Sequence, residues 1–307
     1  MTNFLITVVG ATAIGKTALS IKLAEHFNTA IISCDSRQFY KEMKIGTAVP
    51  STEELASVPH HFVQNRSVLD DYSVGQFEKD ALEKLQELYT NNNVVVMVGG
   101  SGLYANAVID GLDFFPKVSP EIRTKLAKKI DNGEIENLQN QLKELDIESY
   151  NSIDIANPHR LIRALEICIG TGKPYASFKN QNNVKRNFIP IKIGLKTARK
   201  ILYDRIDKRV DSMIQQGLIN EVKNLYQYKD LNALQTVGYK ELFNYLDGKF
   251  SLEFAIEEIK KNTRRYAKRQ ETWNRKDDTI HWFDFEVKTS KIIDKIVHLK
   301  EHLTTSN

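Results

Sequence analysis

Gly10-Ala11-Thr12-Ala13-Ile14-Gly15-Lys16-Thr17 fits G-x-x-x-x-G-K-[ST], and the rest of the chain reads outward from it. Before it, Phe4-Leu5-Ile6-Thr7-Val8-Val9 is a short apolar run of the kind that forms a buried strand. After it, Ala18 to Phe27 carries apolar residues at helical spacing. Strand, glycine loop and helix in that order aim backbone N–H groups and a helix N-terminus at phosphate oxygens. Lys16 supplies a point charge, and the Thr17 hydroxyl is in the position that reaches a phosphate-bound Mg²⁺. The motif specifies a phosphate ligand; it does not specify a nucleoside triphosphate.

The chain has 307 residues, enough for one large or two ordinary domains. Hydrophobic residues make up 41% and charged residues 27%, the balance of a soluble globular protein, and no apolar run approaches the roughly 20 residues of a membrane span. No charged region precedes the first strand, so no signal peptide is expected. Cys34 and Cys168 are the only cysteines and lack metal-ligand spacing, which suits a reducing cytoplasm.

A second strand, Ala30 to Cys34, leads into Asp35-Ser36-Arg37-Gln38, and a third, Val94 to Val98, into Gly99-Gly100-Ser101-Gly102. Ligands of open α/β sheets sit beyond the carboxyl ends of strands, so both stretches are expected at the phosphate cleft. Asp35 reads as a general base or metal ligand, or else as a helix N-cap. The third strand does not end in the Mg²⁺-binding aspartate of many P-loop ATPases. Ser101 offers a hydroxyl there, or a cap. Lys41 to Val74 reads as loops around short elements; within it the neighbouring His60 and His61 point different ways and are not expected to share a metal. From about Phe115 to Lys185 three helical patterns follow one another without a strand, an expected insertion in the α/β core. Asn157-Pro158-His159-Arg160-Leu161-Ile162-Arg163 opens the last of them. Strands are expected again at Phe188 to Leu195 and Ile280 to Phe285.

On the long helix Ala198 to Gln216, Arg205 and Arg209 share a face. They would clamp anionic oxygens, or pair with Asp204 and Asp211 in solvent. Residues 260–276 hold eight cations against Glu271 alone, a net +7 in a chain whose total is +4, so the remainder sums to −3. Tyr266 and Trp273 lie among them. Cations interleaved with flat rings suit an unstacked RNA base; the alternative is a solvated helix face with inward rings.

Taken together these landmarks resemble the tRNA dimethylallyltransferases, also called tRNA isopentenyltransferases. The matching stretches are Gly10–Thr17, Ile32–Tyr40, Ile45–Ala48, Pro59–His61, Gly99–Tyr104, Asn157–Glu166, Val237–Glu241 and Lys268–Trp273, in family order along nearly the whole chain. The resemblance implies an α/β fold with a P-loop NTPase-like, mostly parallel sheet. Residues 1–114 and 186–307 would form its core with C-terminal tRNA-binding helices, and 115–185 a helical insertion domain. It implies transfer of a dimethylallyl group from dimethylallyl diphosphate to N6 of the adenosine 3′-adjacent to the anticodon. The partners would be the tRNA anticodon stem-loop and the diphosphate, and the enzyme a cytoplasmic, Mg²⁺-dependent monomer without membrane association.

The resemblance assigns Asp35 as general base and Ser101 as its hydrogen-bonding partner, where family members usually carry Thr. Gly10, Ala11, Thr12, Ala13, Ile14, Gly15, Lys16 and Thr17 would hold the diphosphate, with Arg205 and Arg209, and Thr17 the metal. Ala11 and Ile14 stand where Pro and Ser are usual. Transfer RNA contacts carry over to Asp35, Ser36, Arg37, Gln38, Ser101, Arg123, His159, Arg160, Leu161, Ile162, Arg163, Lys268, Arg269, Gln270, Thr272, Trp273 and Arg275. The rival readings are an adenylate dimethylallyltransferase, a P-loop small-molecule kinase and a non-catalytic RNA-binding protein.

Overall fold

A computed structural model describes residues 2–179 and 185–305. Six strands, β1 (Phe4–Gly10), β2 (Ile31–Ser33), β3 (His60–His61), β4 (Val94–Val98), β5 (Ile189–Lys196) and β6 (His281–Asp284), form one sheet. Its order is β3-β2-β4-β1-β5-β6, and every pair runs parallel. The helices are α1 (Lys16–His26), α2 (Thr52–Ser57), α3 (Val74–Leu88), α4 (Gly102–Asp110), α5 (Pro120–Asp131), α6 (Ile135–Leu145), α7 (Ile147–Ser152), α8 (Pro158–Thr171), α9 (Arg199–Gln215), α10 (Leu218–Asn224), α11 (Tyr239–Leu246), α12 (Leu252–Asn274) and α13 (Thr289–Thr305).

Parallel strands are covered on both faces, which is why β1 and β4 are apolar nearly throughout. The period of two still sorts them. Phe4, Ile6 and Val8 of β1 pack with Leu23 of α1, Ile206 of α9 and Ile296 of α13. Leu5 faces the other way, with Val95, Met97, Phe77 and Ala81. A third apolar cluster joins α9 to α12 through Val210, Leu218, Leu242 and Ile259. β1 is central, and β1, β2 and β4 end side by side, so three loops open at one sheet edge: Gly10–Thr17, Cys34–Gln38 and Gly99–Gly102.

The chain divides into two compact units, Met1–Ile109 with Arg186–Asn307, and Asp110–Lys185. Among its described residues the second holds helices and no strand, packed around Leu126, Leu138, Leu142, Leu161 and Leu165. Residues 180–184 of the expected insertion lie outside the described residues. In the loop-rich stretch after β2, the described structure adds two elements too short to read from periodicity. They are α2, closed by a capping box from Ser51 and Glu54, and the two-residue β3. His60 and His61 alternate on β3, and among the described residues no His, Cys, Asp and Glu cluster could hold a metal.

Candidate active site

The phosphate loop closes around its own lysine. Gly15 precedes α1 with φ 110°, a left-handed conformation natural to glycine, and Ala13 is also left-handed at φ 64°. A non-glycine residue there carries strain that its surroundings must hold, and Arg205 Nε donates to the Ala13 carbonyl (2.8 Å). Lys16 Nζ donates to the Gly10 (3.0 Å) and Ala11 (2.8 Å) carbonyls. Burial lowers its pKa to about 8; nearby Arg209 acts in the same direction and Asp35 opposes it. Arg209 is itself held below the usual arginine range by burial and by its neighbour Arg205. The two arginines therefore turn toward the loop. Among the described residues neither forms an ion pair with Asp204 or Asp211, and Lys260 holds Asp211 at 2.9 Å.

Asp35 has one carboxylate oxygen employed in the backbone and the other facing the loop after β4. Its Oδ1 accepts the Arg37 backbone N–H (3.1 Å) and so caps a turn. Its Oδ2 lies over the Gly100 backbone, 3.2 Å from where a Cβ of that residue would stand. Ser101 does not cap α4 with its hydroxyl. The hydroxyl meets Ser36 instead, accepting from its N–H (3.2 Å) and facing its Oγ (2.9 Å). The loops after β2 and β4 are thus pinned to each other beside the carboxylate.

α12 locks the loop after β4 from one helix face. Tyr266 OH (3.2 Å) and Gln270 Nε2 (2.8 Å) both donate to the Gly100 carbonyl. A Cβ on Gly100 would sit 2.7 Å from Gln270 Nε2, and one on Gly102 would sit 2.3 Å from Trp273 Nε1. These close approaches explain the glycines of the Gly99–Gly102 stretch, a reason no local pattern reveals.

A cavity of about 720 Å³ runs along α12 from Ile259 to Trp273, roughly 20 Å of helix. It takes in Gly10 and Thr12, Asp35, Gly100 and Ser101, Arg209, Tyr266, Arg269 and Gln270. One end is apolar, formed by Val210, Met213, Val237 and Ile259; at the other Trp273 is 41% exposed. Burial and the nearby Asp35 raise the Tyr266 pKa well above its usual range, so its hydroxyl stays protonated.

Several residues expected at RNA have other employment. Gln270 is buried, and its Oε1 accepts the Thr12 N–H (2.8 Å), so both ends of its amide are consumed within the protein. Gln38 spends its amide donors on the Thr47 and Ala48 carbonyls (3.1 Å each). Leu161 and Ile162 are buried core residues of the helical unit, with no side-chain surface to offer. Their neighbours His159 and Arg160 are exposed. Arg163 pairs with Glu166 and lies over the Phe115 ring (4.9 Å); Arg123 reaches the same carboxylate (3.2 Å). Arg37 Nη1 donates to the Asn232 (2.9 Å) and Ala233 (3.0 Å) carbonyls.

The basic stripe is not one face. Lys260 and Arg264 point at α9 and pair with Asp211 and Asp207, Lys261 pairs with Glu258, and Arg275 lies 3.6 Å from Glu271. Lys268, Arg269 and Thr272 are exposed toward the Trp273 end, and Thr272 Oγ1 back-bonds to the Lys268 carbonyl (2.9 Å). Glu221, which no motif marks, supports the cavity from behind. Its carboxylate accepts the N–H groups of Lys44, Ile45 and Gly46 (2.9, 2.7 and 3.0 Å) and the Tyr239 hydroxyl (2.7 Å).

Thr17 and Asp35 are hard oxygen donors, and no ready-made cluster of protein ligands stands beside them among the described residues. That donor set fits Mg²⁺, which keeps waters and takes much of its shell from substrate phosphates.

Fold and site define a class: an α/β protein whose phosphate loop shares one cavity with a strand-end carboxylate and an aromatic, cationic helix. The chain belongs to the IPP transferase family, whose model matches residues 38–277. That match begins after the phosphate loop, whereas the alignments with the relatives below span nearly the whole chain. The chain is 56% identical over 306 residues to the tRNA dimethylallyltransferase of Flavobacterium psychrophilum, covering 98% of this chain and 100% of that one. It is 61% identical over 296 residues to that of Christiangramia forsetii, covering 96% and 98%. Among solved structures, the full-length tRNA isopentenylpyrophosphate transferase of Bacillus halodurans is 38% identical with TM-score 0.71, covering 98% and 96%. A eukaryotic dimethylallyltransferase acting on tRNA is 27% identical with TM-score 0.76, covering 92% and 74%.

Proposed function

We propose that this enzyme transfers a dimethylallyl group from dimethylallyl diphosphate to N6 of the adenosine 3′-adjacent to the anticodon of tRNA, releasing diphosphate. The observation that carries the proposal is the single cavity. Gly10, Thr12 and Arg209 of the anion cradle line it together with the Asp35 carboxylate, and its far end is rimmed by Trp273 and Arg269.

Gly10–Thr17, Lys16, Arg205 and Arg209 hold the diphosphate, and the prenyl tail lies toward Val210, Met213, Val237 and Ile259. The allylic C–O bond breaks with its electron pair passing to the diphosphate, whose growing charge the cations and loop amides stabilise. The adenine nitrogen supplies the electron pair of the new C–N bond, and Asp35 Oδ2 takes its proton. Ser101 and Ser36 keep the loop beside that carboxylate in place. Mg²⁺ would be held by Thr17 with diphosphate oxygens, where it would neutralise leaving-group charge. The target base must leave the anticodon-loop stack. The Trp273 ring, with Lys268, Arg269 and Thr272 around it, receives it; on the helical unit the exposed His159 and Arg160 offer contacts to RNA phosphates. The enzyme works as a cytoplasmic monomer; among the described residues no helix is long and apolar enough to cross a membrane.

The test is incubation with labelled dimethylallyl diphosphate and unmodified tRNA, followed by nucleoside analysis. Label is expected in N6-isopentenyladenosine. Label in free AMP, or stoichiometric ADP release from ATP, would replace the proposal with an adenylate prenyltransferase or a kinase.

A further inference from the structure

Gln270 lies 258 residues from Thr12 in sequence, and its amide spans the gap between the two halves of the reaction. Its Oε1 accepts the N–H of Thr12 in the phosphate loop, and its Nε2 donates to the carbonyl of Gly100, beside Ser101 and under Asp35 Oδ2. Both bonds are 2.8 Å, and the residue is 7% exposed. One turn away on the same face, Tyr266 holds the same carbonyl. We propose that Gln270 is a positioning residue: it sets the spacing between the loop that holds the electrophile's diphosphate and the loop after β4, which Ser101 pins to the loop bearing the proton acceptor Asp35. The inference rests on the reading of the reaction given above.

An amide suits this place because it is at once an acceptor and a donor, and neither loop offers the other a direct bond here. Removing it leaves each substrate its own contacts, so affinity is spared while alignment is lost. Misplacement of reacting groups by about 1 Å can cost on the order of 100-fold in rate.

Gln270→Met keeps the length and removes both bonds. The expected result is a single-turnover rate lowered about 10- to 100-fold, with binding of dimethylallyl diphosphate and of tRNA each within about threefold of wild type. Gln270→Glu is nearly isosteric and gives a signature that a packing role would not. As a carboxylate it still accepts from Thr12 but opposes the Gly100 carbonyl; protonated, its O–H donates to Gly100 and its C=O accepts from Thr12. The titratable groups around it are Asp35 beyond β2, Lys16 in the phosphate loop and Tyr266 on α12 itself. Dividing the Gln270→Glu rate by the wild-type rate at each pH removes the ionisations that the two enzymes share and leaves the introduced carboxyl with its coupling to these groups. That ratio should rise as pH falls. A flat ratio, or a Gln270→Met rate within threefold of wild type, overturns the proposal. Should the wild-type enzyme prenylate no tRNA at all, the functional reading itself fails, and the two failures are separate.

Discussion

Lys16 offers the sharpest quantitative test. Burial, with Arg209 nearby, brings its pKa in the free protein down to about 8. Only the ammonium form can pair with diphosphate, so the binding-competent fraction falls as pH rises through that value. At pH 9, one unit above, about a tenth of the free protein carries the charge, and apparent affinity should drop about tenfold, or ~1.4 kcal/mol. The drop continues at about tenfold per pH unit until the raised pKa of the bound state is reached. Two neighbours stay silent in this window: burial pushes the Cys34 thiol up to about 12, and Tyr266 is held protonated. The stability sign is opposite. The folded pKa lies below the lysine value of 10.5, so the unfolded chain binds more protons between the two, and this group's contribution to stability rises with pH from about 8 upward. The assay is calorimetric titration with dimethylallyl diphosphate from pH 7 to 9.5, above the last phosphate ionisation near 6. Lys16→Arg, charged throughout, should flatten the profile, and Lys16→Met should bind weakly at every pH. A wild-type affinity constant from pH 7.5 to 9.5 would refute the lowered lysine pKa, and a Lys16→Met affinity equal to wild type at pH 7.5 would refute the assignment of this lysine to the anion.

Asp35→Asn keeps the Arg37 turn but cannot take a proton, so its single-turnover rate should fall about 10²- to 10⁴-fold with diphosphate binding intact; rescue by high Mg²⁺ would make Asp35 a metal ligand instead. Neutralising Lys268 and Arg269 should each lower the salt slope of tRNA binding by about 0.7 to 0.9, whereas neutralising Lys260 or Arg264, already paired on α9, should leave it unchanged; equal effects at all four positions would restore a single continuous basic face. Gly102→Ala puts a Cβ against the Trp273 indole, and displacing that ring should weaken tRNA binding more than diphosphate binding in a competition assay; an unaltered tRNA affinity would remove Trp273 from the RNA end of the cavity.

What could be read in the chain itself was what neighbouring residues settle among themselves. The phosphate loop is eight consecutive residues whose backbone makes the cradle, and strand, loop and helix follow from local periodicity. The parallel sheet and the strand ends bearing Asp35 and Ser101 follow by the same logic, and the ordered series of motifs indicated the family. What only the tertiary structure decided depends on residues far apart. Ser36 meets Ser101 across 65 positions, and Gln270 meets Thr12 across 258. Periodicity places Gln270 on a helix beside lysines and arginines but is silent on which way its amide turns; burial against two loops turns it inward. The same holds for charge. Eight cations in seventeen residues look like one RNA-binding stripe until α9 brings up Asp207 and Asp211 to take two of them. Composition counts charges along a chain, but a charge is free for a ligand only when nothing carried in by the fold has already neutralised it.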